Sequence, residues 1–112
     1  KAVGSLMEKE LVDLGLLSMS DIKNQNPELP AYKKYFMHGT SHFLGLDVHD
    51  VGLWHKPIQP GMVFTVEPGI YIREENLGIR LENNILVTES SPRDLFAKFP
   101  IEAEEIEDLM NS

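Results

Sequence analysis

The apolar residues follow a helical period at both ends of the chain. Near the start, five of them recur at helical spacing: Leu6, Met7, Leu11, Leu14 and Leu17. This pattern predicts an amphipathic helix that ends at or near Gly15, because glycine favours the left-handed conformation that closes many helices. Residues 18–34 have no sustained period and contain several Ser, Asn and Pro residues, so we expect a connector there. Residues 101–110 place apolar side chains among many acids and predict a short second helix.

Between the two helical patterns lie segments of β-branched, aromatic and other apolar residues, some alternating with polar ones and some in short runs bounded by turns, which is typical of β-strands. Four such segments occur, over residues 43–51, 62–66, 70–72 and 79–88. Proline and glycine mark turns between them, and residues 89–101 form a proline-marked loop. The succession of helix, strands and helix predicts an α+β fold.

Composition narrows the class of protein. The 112 residues suffice for one domain, and a hydrophobic share of 42% is ordinary for a globular protein. The net charge of −8 argues against a nucleic-acid partner and against binding to an anionic membrane surface. The chain has no cysteine, which fits a cytoplasmic location. No apolar run approaches the roughly 20 residues that span a bilayer.

The segment from His38 to Asp50 carries most of the candidate chemistry. It reads His-Gly-Thr-Ser-His-Phe-Leu-Gly-Leu-Asp-Val-His-Asp, so His42 and His49 stand in one short run. Imidazole both ligates transition metals and moves protons near neutral pH. Strand alternation would place His42 and His49 on opposite faces. A site that uses both therefore requires a bend between them, and Gly45 is the natural place for it.

Two acidic residues, Glu67 and Glu82, stand in or beside later strand-like segments. Histidine and carboxylates that converge from separate strands form the ligand set of a hydrolytic metal site. His42, His49, Glu67 and Glu82 are therefore the candidate residues of such a site.

Other sites that these histidines could form are weaker. His38 and His42 are four residues apart, as in a helical zinc motif, but the residues between them are poor helix formers and the required Glu is missing. Ser41 beside His42 could suggest a serine nucleophile, yet the segment lacks the second glycine of a nucleophile elbow.

Each remaining polar residue could also be an ordinary surface group when taken alone. His49 with Asp50 could be a solvated pair, and Arg80 with Glu82 could be an exposed ion pair of little energetic value. His55 follows no pattern, and we interpret it as a surface residue. The order of the motifs along the chain distinguishes a site from scattered surface groups.

Taken in that order, the motifs resemble the proline-specific aminopeptidases and prolidases, the pita-bread metallopeptidases. Residues 38–50 are similar to the histidine signature of that family. Residues 65–71 (Thr-Val-Glu-Pro-Gly-Ile-Tyr) and 78–84 (Gly-Ile-Arg-Leu-Glu-Asn-Asn) resemble its two glutamate motifs. The resemblance covers nearly the whole chain, with Xaa-Pro aminopeptidases nearest and prolidases next.

The resemblance implies a dinuclear metal centre. His42 and Glu67 would ligate one divalent ion, and Glu82 would bridge the two ions. Manganese is the ion that the resemblance favours, with cobalt and zinc as alternatives. Oxygen-rich ligation with one imidazole suits such ions better than a metal that selects thiolates.

The resemblance also implies roles in contact with the substrate. His49 would face the substrate and help to stabilise the tetrahedral intermediate. His38 and Arg80 would lie near the proline side of the substrate.

The resemblance further implies that the chain is part of a larger domain. The family's site uses two more aspartates from earlier strands, one in an Asp-x-Gly context, and no such motif occurs here. Residues 1–112 would then form the C-terminal half of a pita-bread catalytic domain, with a curved antiparallel sheet and flanking helices. We expect the upstream half of the domain as a partner and association into a homo-oligomer, and the fragment alone could be metal-free.

The implied function is metal-dependent removal of the N-terminal residue from peptides with proline in second position. A prolidase restricted to dipeptides is one alternative, and a non-catalytic relative that keeps the fold as a binding module is another. Two carboxylates brought together without a metal would repel each other, which argues against the binding module. The fragment alone should be inactive, because it carries only part of the ligand set.

Overall fold

The computed structural model describes residues 2–112, which divide into two compact units. The first unit comprises the residues up to Thr40 together with Pro68–Arg80. The second comprises Ser41–Glu67 together with Leu81–Ser112. Both units contain helices and antiparallel strands, so the predicted α+β class is confirmed.

The first helix, α1, spans Ala2–Asp13 and ends as its sequence predicts. Gly15 adopts the left-handed conformation with φ of 74°. Its N–H donates to the carbonyl of Val12 at 2.9 Å, and the next N–H, from Leu16, donates to the carbonyl of Leu11 at 2.9 Å. These two bonds form a glycine C-cap that satisfies the last carbonyls of the helix. Leu11 is the buried anchor of α1, with 1% of its surface exposed.

The connector that we predicted over residues 18–34 contains a short helix, α2, over Met19–Lys23, and a 3-10 turn over Ala31–Lys34. The Ser18 hydroxyl accepts the N–H of Asp21, and the Asp21 carboxylate accepts the N–H of Ser18. Hydrogen bonds from the Ser18 hydroxyl and backbone lower the pKa of the Asp21 carboxyl. This reciprocal cap allows a helix too short to show an apolar period.

The sheet of the first unit is a two-stranded ribbon. Strand β2 (Gly69–Ile72) pairs antiparallel with β3 (Leu77–Arg80), and a 3-10 turn over Arg73–Glu75 joins them. The turn ends at Asn76, which has a φ of 51°. The N–H of Tyr71 in β2 donates to the carbonyl of Tyr35, a buried residue of the same unit.

The sheet of the second unit has the strand order β1-β4-β5. Its strands are β1 (Val63–Val66), β4 (Asn83–Leu86) and β5 (Arg93–Asp94), and a helix, α3, follows over Ala103–Met110. Three aromatic rings pack beside β1: Phe43 lies 4.6 Å from Phe64 and 4.7 Å from Trp54 between ring centroids. Phe64 is buried and anchors this cluster.

Two of the predicted strands, over residues 43–51 and 79–88, are wrong in their extent. Residues 43–51 do not form a strand, because only Phe43 makes a β-bridge, to Phe64, and the following residues bend. The predicted strand over 79–88 is divided at residues 81 and 82, which separate β3 from β4. The segments 62–66 and 70–72 are confirmed as β1 and β2.

Among residues 2–112, no helix combines the length and apolar character needed to cross a membrane. Many large apolar side chains are nevertheless exposed, including Leu46 at 104%, Val51 at 90% and Met110 at 81%. Exposed apolar side chains in such number favour association with another protein surface.

We therefore expect the purified 112-residue chain to associate with itself, because burying these side chains removes apolar surface from water. Light scattering at rising concentration measures the assembly size. Replacing Leu46 and Val51 by serine should weaken the association. A stable 12.7 kDa monomer at every concentration would contradict this expectation.

Candidate metal centre

The site is built around β1, which has a backbone partner on each edge. On one edge β4 pairs antiparallel with it, with Thr65 opposite Asn84. On the other edge lies the segment around Phe43: the N–H of Leu44 donates to the carbonyl of Val63, and the N–H of Thr65 donates to the carbonyl of His42, both at 3.0 Å. This places His42 beside the middle of β1.

The same register brings the two glutamates together. The last residue pair of the β1–β4 ladder is Val66 with Asn83. Glu67 directly follows β1, and Glu82 directly precedes Asn83. The two acids therefore lie opposite each other just beyond the last pair of the ladder. Pro68 has no N–H to donate and cannot continue the ladder, which leaves both carboxylates at its end.

His42, Glu67 and Glu82 converge. One ligand atom from each, an imidazole nitrogen and two carboxylate oxygens, lies within 4.8 Å of the other two. The His42 Nε2 to Glu67 Oε1 distance is 3.1 Å, and the two side chains are only 19% and 13% exposed, whereas Glu82 is exposed. The structure thus brings together the three residues that the sequence nominated as ligands.

The hydrogen bonding of His42 leaves Nε2 as its ligand atom. Nδ1 lies 2.9 Å from the carbonyl of Phe43. A carbonyl only accepts, so Nδ1 carries a proton and donates it. In the neutral ring Nε2 then has a lone pair that faces Glu67. Nε2 and Glu67 Oε1 are both acceptors, and at 3.1 Å they require a proton or a cation between them. This is the arrangement by which a backbone carbonyl orients a metal-ligating histidine.

Thr65 is a member of this site that our sequence reasoning missed. It is fully buried, with 0% of its surface exposed. Its hydroxyl oxygen lies 3.1 Å from the backbone nitrogen of His42 and 3.2 Å from Glu67 Oε1. The sequence does carry a signal: Thr65 and Glu67 are two residues apart, so side chains in an extended segment share a face.

His49 lies against His42 because the chain folds back between them. The two imidazole rings meet edge to face with 4.4 Å between centroids. The N–H of Asp50 donates to the carbonyl of Phe43 at 3.1 Å and closes the loop. The sequence predicted that a bend would be needed, and the structure confirms it.

Asp50 fixes the bend with its carboxylate. The two carboxylate oxygens accept the N–H groups of Leu46 at 2.9 Å and Val51 at 2.7 Å. Gly45 permits this, because a Cβ at that position would overlap the Asp50 carboxylate. Backbone donors that would have joined a strand are thus taken by one side chain, which is why the predicted strand over 43–51 does not form.

His38 and Arg80, the other two residues that we predicted for the site, belong to the first unit. His38 Nδ1 donates to the carbonyl of Gly39 at 2.7 Å, and its Nε2 lies 3.0 Å from the hydroxyl of Tyr71. Because Nδ1 carries the proton, Nε2 accepts from Tyr71. Arg80 is the exposed last residue of β3, opposite Gly69. His55 is exposed, in keeping with its interpretation as a surface residue.

The donor set fits a divalent cation. Two carboxylates and one imidazole are ligands typical of manganese, zinc and related ions. Atoms 3.1 Å apart, such as His42 Nε2 and Glu67 Oε1, can both bind an ion placed about 2.1 Å from each. Glu67 and Glu82 would repel each other without a positive charge nearby. On the same ladder Asn84, which pairs with Thr65, has a buried side-chain oxygen, Oδ1, without a donor among residues 2–112.

The chain belongs to metallopeptidase family M24, whose sequence model matches residues 1–89. It is 45% identical to the Xaa-Pro aminopeptidase of Haemophilus influenzae over 90% of this chain, and 42% identical to that of Escherichia coli over 94%. Xaa-Pro aminopeptidase 3 of Homo sapiens is 41% identical over 94%.

Solved structures show the same likeness in three dimensions. A zinc-substituted aminopeptidase P from Escherichia coli, in complex with product, superposes with a TM-score of 0.81 at 41% identity over 98% of this chain. This confirms the predicted pita-bread fold. The chain spans only about a quarter of its relatives: 26% of the two bacterial proteins, 22% of the human one and 27% of the solved structure.

Replacing Asp50 by asparagine should loosen the bend that holds His49. Hydrogen bonds to a charged group contribute about 1.5–3 kcal/mol, so we expect amide exchange at Leu46 and Val51 to accelerate about tenfold or more. Hydrogen exchange followed by NMR measures this. Asp47→Asn is the matched control, since it removes the same charge from an exposed side chain of the same loop. Equal exchange in the two variants would refute the role of Asp50.

Proposed function

We propose that this chain contributes part of the metal centre of an Xaa-Pro aminopeptidase, which removes the N-terminal residue from peptides with proline in second position. The observation that carries the proposal is the convergence of His42, Glu67 and Glu82 within 4.8 Å. The names of the most similar relatives support the choice of substrate, because they are Xaa-Pro aminopeptidases.

The three converging residues would hold the metal. His42 presents Nε2, since its other nitrogen is bound to a carbonyl. Glu67 is mostly buried beside it, and Glu82 is exposed at the end of the ladder; both carboxylates would help to hold the ions. We propose two divalent ions, with manganese favoured, and the further ligands would come from two aspartates outside this chain. When bound, the ions supply an activated water at neutral pH and polarise the scissile carbonyl.

The remaining residues would contact the peptide. His49 is exposed and lies against His42, so its imidazole can donate a hydrogen bond to the oxygen on which negative charge develops. His38 and Arg80 would bind the proline side of the substrate. The carbonyl of Gly39 holds His38 in one tautomer, and the hydroxyl of Tyr71 contacts the other ring nitrogen, so the ring has a defined orientation.

Several finer expectations from the sequence stay predictions. These are the upstream half of the domain as partner, the placement of this chain as the C-terminal part of that domain, the homo-oligomer and the cytoplasmic location. Prolidase activity is a second candidate only by resemblance, because the three relatives named above are aminopeptidases.

The test uses the full-length protein that contains this chain, supplied with manganese. We expect it to release glycine from Gly-Pro-Ala and to leave Gly-Ala-Ala largely intact. Glu82→Gln should lower kcat/KM by more than about 100-fold, because a metal ligand contributes at least as much as the groups that orient one. Glu89→Gln is the matched control, since it removes the same charge from an exposed residue of the same unit. The 112-residue chain alone should show no turnover.

The contrary outcomes are distinct. Cleavage of the dipeptide Gly-Pro without cleavage of Gly-Pro-Ala would indicate a prolidase. Absence of turnover on both substrates by the metal-loaded full-length protein would indicate a binding module. Turnover by the isolated chain would show that its own residues suffice for catalysis.

A further inference from the structure

We infer that Thr65 is a positioning residue that holds two metal ligands, His42 and Glu67, in register with each other. The inference rests on the proposed function, because it assumes that both residues ligate an ion. Thr65 itself would contact neither metal nor substrate. Its hydroxyl joins the two ligands, and its burial fixes the hydroxyl in place.

The direction of each hydrogen bond follows from the chemistry of the partners. The backbone N–H of His42 can only donate, so the Thr65 hydroxyl oxygen accepts from it at 3.1 Å. The hydroxyl proton is then available for Glu67 Oε1 at 3.2 Å, and an ionised carboxylate can only accept. The hydroxyl therefore uses its acceptor and its donor at once, and reversing either bond would place two donors or two acceptors face to face.

The backbone of Thr65 reinforces this arrangement. Its N–H donates to the carbonyl of His42 at 3.0 Å, so both the N–H and the C=O of His42 are bound to the same residue. The peptide groups on either side of the His42 Cα are thereby held, which fixes the direction in which the side chain leaves the backbone, and the bond from Nδ1 to the Phe43 carbonyl then orients the ring. A ligand that is held before the ion arrives loses less conformational entropy on binding it.

Burial and side-chain type keep the hydroxyl from turning away. Thr65 is 0% exposed and lies within β1, with backbone partners on both edges of the strand. A β-branched side chain in such a setting has few accessible rotamers. Water cannot replace the hydroxyl, because no part of Thr65 is accessible to it. The Glu67 oxygen that receives the hydroxyl proton is also the one 3.1 Å from His42 Nε2, so Thr65 orients the carboxylate where the two ligands meet.

The test compares metal affinity in variants of the full-length protein that contains this chain, depleted of metal and titrated with manganese by calorimetry. Thr65→Val keeps the shape and removes the hydroxyl, and we expect the Kd for manganese to rise about 10–100-fold, as for other groups that orient metal ligands. Thr65→Ser keeps the hydroxyl and should stay within about threefold of the wild type. Glu67→Gln shows the loss of manganese affinity that is expected when a ligand itself is removed.

Two controls separate positioning from stability. Thr88→Val removes a hydroxyl that donates to the carbonyl of Ser91 in the same unit, and it should leave the Kd unchanged. Thermal unfolding of each variant shows whether it is folded at the titration temperature. If Thr65→Val is not folded, Thr65→Ala takes its place, since it removes the hydroxyl without adding an apolar group.

The outcomes distinguish this inference from the proposed function. If a folded Thr65→Val variant binds manganese with wild-type affinity while Glu67→Gln binds it more weakly, the role of Thr65 is overturned. The proposed metal site is then still supported. A Thr65→Ser variant as weak as Thr65→Val would also overturn it, because the hydroxyl would then not be the group that matters. Wild-type protein that binds no manganese would overturn the proposed function and this inference together.

Discussion

The candidate site depends on the backbone pairing of β1 along both of its edges. Pairing with β4 sets Glu67 opposite Glu82, and pairing with the segment around Phe43 sets His42 beside Thr65. A shift of either register by one residue would turn the corresponding side chain to the other face of the sheet. The ligand set therefore depends on how three neighbouring segments are aligned with one another. The aromatic packing of Phe43 on Phe64 stabilises that alignment.

Polar side chains complete what the pairing begins. Thr65 links His42, on the segment beside β1, to Glu67, which follows β1, and Asp50 holds the bend that returns His49 to His42. The Thr65 hydroxyl accepts one backbone N–H and the Asp50 carboxylate accepts two, and hydrogen bonds to a charged group such as Asp50 are stronger than those between neutral groups. A bound cation would offset the cost of holding two carboxylates and an imidazole close together, which would couple the stability of this region to the metal.

Much of the fold could be predicted from the sequence because its signals are local. The period of the apolar residues and Gly15 predict α1 and its end, and the short run of strand-forming residues 62–66 after a Pro-Gly turn predicts β1. The segment 43–51 also alternates, yet it forms a loop, because the Asp50 carboxylate accepts the N–H groups of Leu46 and Val51, and the apolar pattern does not encode these side-chain bonds. The break at residues 81 and 82 is non-local, since it reflects which strand each half pairs with. His42, Glu67 and Glu82 could be predicted as ligands from the family motifs in which they stand, whereas the role of Thr65 depends on its burial and its two hydrogen bonds, which the structure shows.

The central claim is that His42, Glu67 and Glu82 bind one metal centre, and an anomalous difference map tests it most directly. Crystals of the full-length protein grown with manganese would be measured at the manganese absorption edge. We predict an anomalous peak within bonding distance of His42 Nε2 and of a carboxylate oxygen from Glu67 and from Glu82. An ordered site without such a peak, with His42 still bound directly to Glu67, would contradict the account.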